Sequence, residues 1–207
     1  MKVFYLFICG ILLSLACPAQ QRFTIQGEMT RDSLRFTPKK ISKLYLTHLV
    51  DGEEVVIDST EVKDKKFHFE GVAPEVLTIY TITGFDNGVI QLFLEPGEIK
   101  VEPFDGHFPI AAKASGTPNN NIYHDYQQLL NNSNQEARER MDSFRSSLPD
   151  SISKDDRKFL PYHTAMFHSN NIYYKTAIMK FVKQHIDSPV VLYIIKFGMM
   201  PMFSPRV

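Results

Sequence analysis

The residues of this chain that come closest to a catalytic arrangement are Asp58 and Ser59. An aspartate and a serine can act with a histidine as a nucleophilic triad, in which the serine oxygen attacks and the histidine takes its proton. No nucleophile elbow surrounds Ser59. The alternative is that Asp58 and Ser59 satisfy backbone groups at a bend or bulge of a strand. The sequence favours this structural interpretation and predicts no catalytic residue.

Histidine is the second residue type that could carry chemistry, through metal binding. The seven histidines are His48, His68, His107, His124, His163, His168 and His185. His163 and His168 lie five residues apart, whereas a spacing of four places two ligands on one helix face. The spacing favours ordinary structural roles, so we predict no metal site and no cofactor.

Glu95 and Glu98 could form an acid and base pair, because two carboxylates in different environments can share general acid–base catalysis. They flank the tight turn at Pro96 and Gly97, and turns are usually exposed to solvent. We therefore predict that both carboxylates are solvated.

Aromatic side chains could line a groove for a glycan or a peptide. Tyr162, Tyr173 and Tyr174 lie at helical spacing in the second half of the chain. Aromatic residues at this spacing more often belong to a core or to an interface between helices. The sequence favours those roles for the three tyrosines.

Length and charge limit the classes of function. The 207 residues are enough for one large domain or two small ones with a real core. Lys plus Arg and Asp plus Glu number 23 each, so the formal net charge is zero. Without an excess of basic residues, binding to nucleic acid or to an anionic membrane surface is not expected.

Residues 1–19 are predicted to be an export signal. Lys2 supplies a positive charge, residues 3–15 are almost entirely apolar, and small residues follow up to Ala19. The apolar run is shorter than the roughly 20 residues that a spanning helix needs. Two processing routes stay open: cleavage after Ala19, or a lipoprotein route in which Cys17 is lipidated. Either route predicts an exported protein, in the periplasm or associated with the outer membrane. Only the lipoprotein route would give it a membrane contact, through a lipid anchor on Cys17.

Cysteine usage depends on this signal. The two cysteines of the chain are Cys9 and Cys17, and both lie inside the predicted signal. After cleavage at Ala19 no disulfide could form, and no thiol nucleophile or thiolate ligand would remain.

Residues 20–118 are predicted to form a β-rich domain. Seven or eight short strands with turns between them indicate an antiparallel β-sandwich or a partly open barrel. The strand at 42–50 carries apolar residues on both faces, which is typical of a central strand. Residues 99–102 are expected to pair back on 89–94. Further strands are predicted at 22–29, 75–83 and, at an edge, 110–115.

The most informative stretch of this half is 51–71, which contains two β-type runs around a charged turn at 63–65. Asp51-Gly52 is a strong hairpin turn before the first run. Alternation of apolar and polar residues is lost after Ile57. In the second run Phe67 and Phe69 alternate with polar residues, so we predict a hairpin with one apolar face.

Residues 119–207 are predicted to be helical, which makes the fold class α+β. Three asparagines at 119–121 can cap a first helix, an Asn/Ser-rich break follows at 131–134, and a second helix runs over 135–148. A third helical stretch begins at the acidic residues near 155. The last helix, 190–197, follows a Ser-Pro start, and it is expected to be buried or docked rather than membrane-spanning.

The order of several short motifs resembles one family. They are FTIQG at 23–27, LYL at 44–46, IDS at 57–59, KFHFEG at 66–71, LEPGEI at 94–99 and SGTPN at 115–119. The chain is similar to the domain of unknown function that precedes a thioredoxin-like domain in exported thiol-disulfide oxidoreductases of the TlpA and AhpC/TSA type. The segment ending in Asp187-Ser188-Pro189 resembles the linker into that thioredoxin domain.

The resemblance implies a redox context but supplies no redox residue. Such relatives continue into a thioredoxin fold with a Cys-x-x-Cys motif, and thiol exchange needs a thiolate. We therefore expect a non-enzymatic, exported binding or interaction module of a Gram-negative cell envelope, with an unknown protein or small ligand as partner. The alternatives are a truncated or split member of the oxidoreductase family, or a fragment produced by a frameshift.

Overall fold

A computed structural model describes residues 21–33 and 40–199 of the chain. The predicted signal at 1–19, with its two processing alternatives of cleavage after Ala19 or lipidation of Cys17, lies outside the described residues.

In the part of the chain that the structure describes, eight strands form two four-stranded sheets. The first sheet has the order β4-β1-β7-β8 and the second has the order β3-β2-β5-β6. The strands are β1 Arg22–Arg31, β2 Lys43–Val50, β3 Glu53–Glu61, β4 Lys66–Val72, β5 Ile79–Thr83, β6 Ile90–Phe93, β7 Gly97–Asp105 and β8 Ala114–Ser115.

The predicted fold class is confirmed, because a β region of eight strands precedes a helical segment and the sheets are not closed. The central place of β2 in its sheet is also confirmed. One pairing differs from the prediction: β7 does not return along β6 but lies parallel to β1. The chain leaves the second sheet at the turn after β6, so β7 joins the first sheet beside β1 and in the same direction.

Two tight turns frame β3, and they have different consequences. Asp51 and Gly52 have φ angles of 52° and 87°, and they join β2 and β3 as the predicted hairpin. Asp64 and Lys65, at 49° and 65°, form a similarly tight turn. However, β3 pairs with β2 and β4 pairs with β1, so the predicted β3–β4 hairpin is wrong. The second turn instead carries the chain from one sheet to the other.

The loss of alternation in β3 has a structural cause. Leu46 pairs with Asp58 and Thr47 pairs with Val56, so Ile57 is an extra residue on the β3 side of the ladder. This is a β-bulge, which turns the residues after it to the opposite face. The predicted bend or bulge at this position is therefore confirmed.

The main core lies between the two sheets. Phe67 and Phe69 are buried, which confirms the predicted apolar face of β4. The side chains that are least exposed come from both sheets, namely Ile25, Met29, Leu44, Leu46, Ile82, Ile90, Leu92 and Ile99. Alternation along each strand puts these apolar groups inward and the polar residues outward.

Two glycines of the β1–β4 ladder face aromatic rings. Gly27 is paired with Phe67 and Gly71 is paired with Phe23. A Cβ at Gly71 would lie 2.8 Å from the Phe23 ring, and a Cβ at Gly27 would overlap the ring of Phe67. Each ring therefore lies over a glycine of the neighbouring strand, in the arrangement by which aromatic residues shield strand glycines.

The helical segment begins with a helical hairpin. The helices are α1 Pro118–Ser147, the single turn α2 Asp150–Ser153, α3 Asp156–Gln184 and α4 Val190–Tyr193, with a π-helical turn at Ile194–Met199. Helix α1 is continuous, so the predicted break at 131–134 is wrong. The acidic start of α3 is confirmed, because the Asp155 side chain accepts from the backbone N–H groups of Arg157 and Lys158.

The helices pack against β6 and form a second core. Phe93 of β6 lies in this core together with Val190, Val191 and Ile194. The last predicted helix is thus buried on one side, while Leu192 is 71% exposed on the other. Among the described helices, none combines the length and the apolar character needed to cross a membrane.

The glycine and aromatic pairs generate a test. Gly27→Ala should lower the free energy of unfolding by about 1–3 kcal/mol, because the new methyl group forces the Phe67 ring out of its place. Urea unfolding measures this change. A smaller ring partner should relieve the overlap, so Gly27→Ala combined with Phe67→Leu should cost less than the sum of the two single changes. Additive costs would contradict the proposed overlap.

Candidate functional site

A groove of about 1060 Å³ crosses the outer, polar face of the first sheet. Its floor comes from β4, β1 and β7, and it ends at β8 on one side and at the last residues of β3 on the other. Its lining residues are Gln26, Gly27, Glu28, Ser59, Thr60, Glu61, Lys63, Lys66, Phe67, His68, Lys100, Val101, Glu102, Pro103 and Ser115.

The strand register aligns four polar residues in one row across the groove. Gln26 of β1 is paired with His68 on one side and with Lys100 on the other, and Lys100 is paired with Ser115. These side chains come from four strands that are far apart in sequence. Imidazole, amide, ammonium and hydroxyl groups together offer both donors and acceptors to one ligand.

Charges of both signs surround this row. Lys66 Nζ lies 3.9 Å from Glu28 Oε2, and Lys63 Nζ lies 3.4 Å from Glu61 Oε2. Lys100 Nζ lies 3.5 Å from Glu98 Oε2. The side chains of Lys66, Glu28 and Lys100 are more than half exposed. These are loose surface pairs of small net energy, so a ligand can exchange for them at little cost.

Asp58 binds a backbone group beside the bulge of β3. The Asp58 Oδ1 atom accepts from the backbone N–H of Ser59 at 2.7 Å, beside the bulge at Ile57. This confirms the predicted structural role for Asp58. Ser59 and His68 both line the groove. The His68 Nε2 atom lies 3.8 Å from Glu70 Oε2.

The other histidines are distributed over both halves of the molecule. His48 stacks on Tyr80 with ring centroids 4.7 Å apart, and His185 packs on Phe181 at 4.4 Å. His163 contacts the edge of the Phe159 ring. The remaining contacts are those of His107 with Arg31, Ser33 and Asp105, of His124 with Glu102 and Gln128, and of His168 with Phe167. Within 21–33 and 40–199, no three or more His, Cys, Asp or Glu residues are grouped to hold a metal ion.

Glu95 is buried, which corrects the prediction that it is solvated; Glu98 is exposed as predicted. Glu95 is only 6% exposed and follows β6 at the corner between the sheets. Its Oε1 accepts from the backbone N–H groups of Asn119 at 2.8 Å and Asn120 at 3.1 Å. A carboxylate at the first turn of a helix satisfies unpaired N–H groups and interacts favourably with the helix dipole. The cap of α1 therefore comes from Glu95, not from the asparagines at 119–121.

Asn120 joins the helix to the sheet. Its side chain is fully buried, and its Oδ1 accepts from the Phe93 N–H at 2.9 Å while its Nδ2 donates to the Phe93 carbonyl at 2.7 Å. The same Nδ2 donates to Thr117 Oγ1 at 2.8 Å. The amide thus pairs with β6 as a neighbouring strand residue would. On the same turn, Asn119 Oδ1 accepts from the Ser188 hydroxyl at 3.1 Å, which attaches the segment before α4.

The three tyrosines singled out in the sequence lie in the helical hairpin. Tyr174 is partly buried and packs against the second core. The Arg140 guanidinium carbon of α1 lies 5.0 Å from the centre of the Tyr173 ring. The Tyr162 ring packs on the Phe144 ring of α1, with ring centroids 6.1 Å apart. The predicted core and interface roles are confirmed, although Tyr173 is 60% exposed.

Sequence reasoning missed a second group of tyrosines. Tyr123 and Tyr193 both donate to Gln91 Oε1 of β6, at 3.0 Å and 3.2 Å. Tyr126 is 5% exposed in the same cluster, and burial raises its pKa to about 12. Burial and the neighbouring Tyr193 also raise the pKa of Tyr123. The helical spacing of residues 122–130 could have indicated this cluster.

A comparison with known families matches the β-rich half of the chain and the start of α1. Residues 23–123 match the family described as a domain of unknown function, DUF4369, so the match runs from β1 into α1. The β-rich part of the chain therefore carries this domain of unknown function. Neither curated proteins nor solved structures gave a match. The relation to thioredoxin-like proteins stays a prediction.

The junction between helix and sheet generates a stability test. Asn120→Ala should lower the free energy of unfolding by about 3 kcal/mol, because the Phe93 N–H and carbonyl lose buried partners. Asn132→Ala, at an exposed position of the same helix, is the matched control and should cost nothing. Equal urea midpoints for the two variants would contradict the role of Asn120.

The buried tyrosine generates a pH test. A tyrosine in the unfolded chain has a pKa of about 10, so the unfolded state loses this proton first when the pH rises. The free energy of unfolding should be unaffected by Tyr126 below pH 10 and should fall as the pH approaches 12. Urea unfolding of Tyr126→Phe should show a shallower alkaline decline than the parent. Tyr162→Phe, at an exposed site, should follow the parent, and the same decline in all three proteins would refute the assignment.

Proposed function

We propose that this chain is a non-catalytic binding module of the bacterial cell envelope, and that the groove on the first sheet is its ligand site. The observation that carries the proposal is the registered row of Gln26, His68, Lys100 and Ser115 across four strands. Binding sites place a few polar groups so that they converge on one ligand.

The charges of the groove favour a zwitterionic ligand. Lys63, Lys66 and Lys100 can receive a carboxylate, and the three lining glutamates, Glu28, Glu61 and Glu102, can receive an ammonium group. The balance of three positive and three negative groups gives no preference for a polyanion or a polycation. The exposed Pro103 adds apolar contact beside the charges. A short peptide with free termini has this combination of features.

The cellular location belongs to the same proposal. The apolar segment at 3–15, followed by small residues, supports export. The resemblance of the motif order to the accessory domain of exported oxidoreductases supports a place in the envelope and a partner there. Since both cysteines lie at positions 9 and 17, the proposed mature chain performs no thiol exchange of its own.

Trialanine with free termini is a direct probe of the groove. Titration by NMR should shift the amide signals of the floor strands β1, β4 and β7. Lys100→Ala should weaken this binding about tenfold, which is the size of one charge-assisted contact. Lys183→Ala, at an exposed position of α3, should leave it unchanged.

The blocked peptide separates this proposal from unspecific binding. Trialanine with an acetylated N-terminus and an amidated C-terminus lacks both charges, so it should bind at least tenfold more weakly. Equal binding of the free and blocked peptides, or signal shifts confined to the helices, would refute the groove as a zwitterion site. Reduction of insulin disulfides by the purified protein would refute the non-catalytic assignment.

A further inference from the structure

The β3 strand leaves one edge of the second sheet open. Its residues pair with β2 on one side, and no described strand is hydrogen-bonded to the other side. Every residue of β3 is exposed except Thr60, which is half-buried. An open strand edge presents unpaired backbone N–H and C=O groups to any extended chain that approaches.

The centre of this edge is apolar. Val55, Val56 and Ile57 are consecutive and are 45%, 57% and 50% exposed. Three exposed apolar residues in a row on an edge strand favour pairing with another strand. These apolar side chains lie on both faces of β3, because successive side chains of a strand point to opposite sides.

The ends of the edge are acidic. Glu53 and Glu54 precede the apolar centre, Asp58 and Glu61 follow it, and β3 contains no basic residue. An added strand would place its side chains directly opposite these carboxylates, where opposite charges attract and like charges repel. The acidic residues therefore select the charge of any partner strand.

We propose that β3 is a strand-addition site for an extended segment of another protein in which lysine or arginine residues alternate with apolar ones. The backbone of the segment would pair with the open edge, its apolar side chains would cover Val55 to Ile57, and its basic side chains would face the carboxylates. This is the mode by which sheet edges bind extended peptides. The last residues of β3, Ser59 to Glu61, also line the groove, whereas residues 53–58 lie outside its lining.

The same charges argue against a second copy of this chain as the occupant. Antiparallel self-pairing centred on Ile57 would place Glu53 of one strand opposite Glu61 of the other and Val56 opposite Asp58. Two Glu53–Glu61 pairs would result, and the two strands would bring eight acidic residues together without a basic one.

The probe for this site is a peptide in which lysine and valine alternate over the length of β3. Hydrogen exchange of the purified protein should slow in the β3 amides when the peptide is added, and the affinity should fall as salt is raised. A peptide with glutamate in place of lysine should bind at least tenfold more weakly. A peptide with proline at alternate positions lacks the backbone donors and should not protect β3.

Charge reversal provides the matched variants. Glu53→Lys combined with Glu54→Lys should weaken the lysine peptide about tenfold and strengthen the glutamate peptide. Both residues are exposed, so the variant should unfold at the parent's urea concentration. The control is Glu136→Lys combined with Glu139→Lys on α1, which should bind the lysine peptide like the parent.

Two results would overturn the proposal. One is binding of the lysine peptide with slowed exchange in the groove or the helices but not in β3. The other is slowed exchange in β3 that depends on protein concentration without any peptide, since that result would make a second copy the occupant.

Discussion

The burial of one carboxylate holds the two halves of this protein together. Glu95 lies at the corner between β6 and β7, and its carboxylate accepts hydrogen bonds from the first backbone N–H groups of α1. Asn120 completes the attachment by pairing its amide with both backbone groups of Phe93. Since buried polar groups without partners are costly, this network fixes the start of the helical hairpin relative to the sheets. The packing of α4 and of the tyrosine cluster against β6 depends on that placement.

The sandwich itself depends on corners at which the chain changes sheet. The Asp64-Lys65 turn connects β3 of the second sheet to β4 of the first. The Pro96-Gly97 turn connects β6 of the second sheet to β7 of the first. These crossings leave β3 at one edge and put β1 beside β7 in the centre of the first sheet. The central pair aligns Gln26 with Lys100, and the edge position exposes the apolar centre of β3. One topology therefore creates both surfaces that we consider functional.

Local pattern predicted much of the fold and little of the site. Alternation identified the buried face of β4, and the irregularity after Ile57 identified the bulge, because both are properties of neighbouring residues. The Asp64-Lys65 crossing was not predictable in this way, since a tight turn has the same residues whether its strands share a sheet or separate. The burial of Glu95 depends on asparagines 24 and 25 positions away. Likewise, the sequence gives His68, Gln26 and Lys100 only as polar residues on the solvent side of alternating strands. Their alignment follows from the strand register, which the sequence does not show.

The parallel pair of β1 and β7 also constrains the order in which the chain can fold. In the second sheet the β2–β3 and β5–β6 pairs join segments close in sequence, and the β2–β5 pair joins Thr47 to Thr81, 34 residues away. The entropy lost in closing these loops is therefore smaller than the loss for β1 and β7. The first sheet acquires its centre only when β7 reaches β1, across the whole of the second sheet's sequence. Contacts of such long sequence separation slow folding. Until β7 forms, the chain therefore holds the second sheet and only the β1–β4 half of the first, and the apolar face of β1 and β4 stays incomplete.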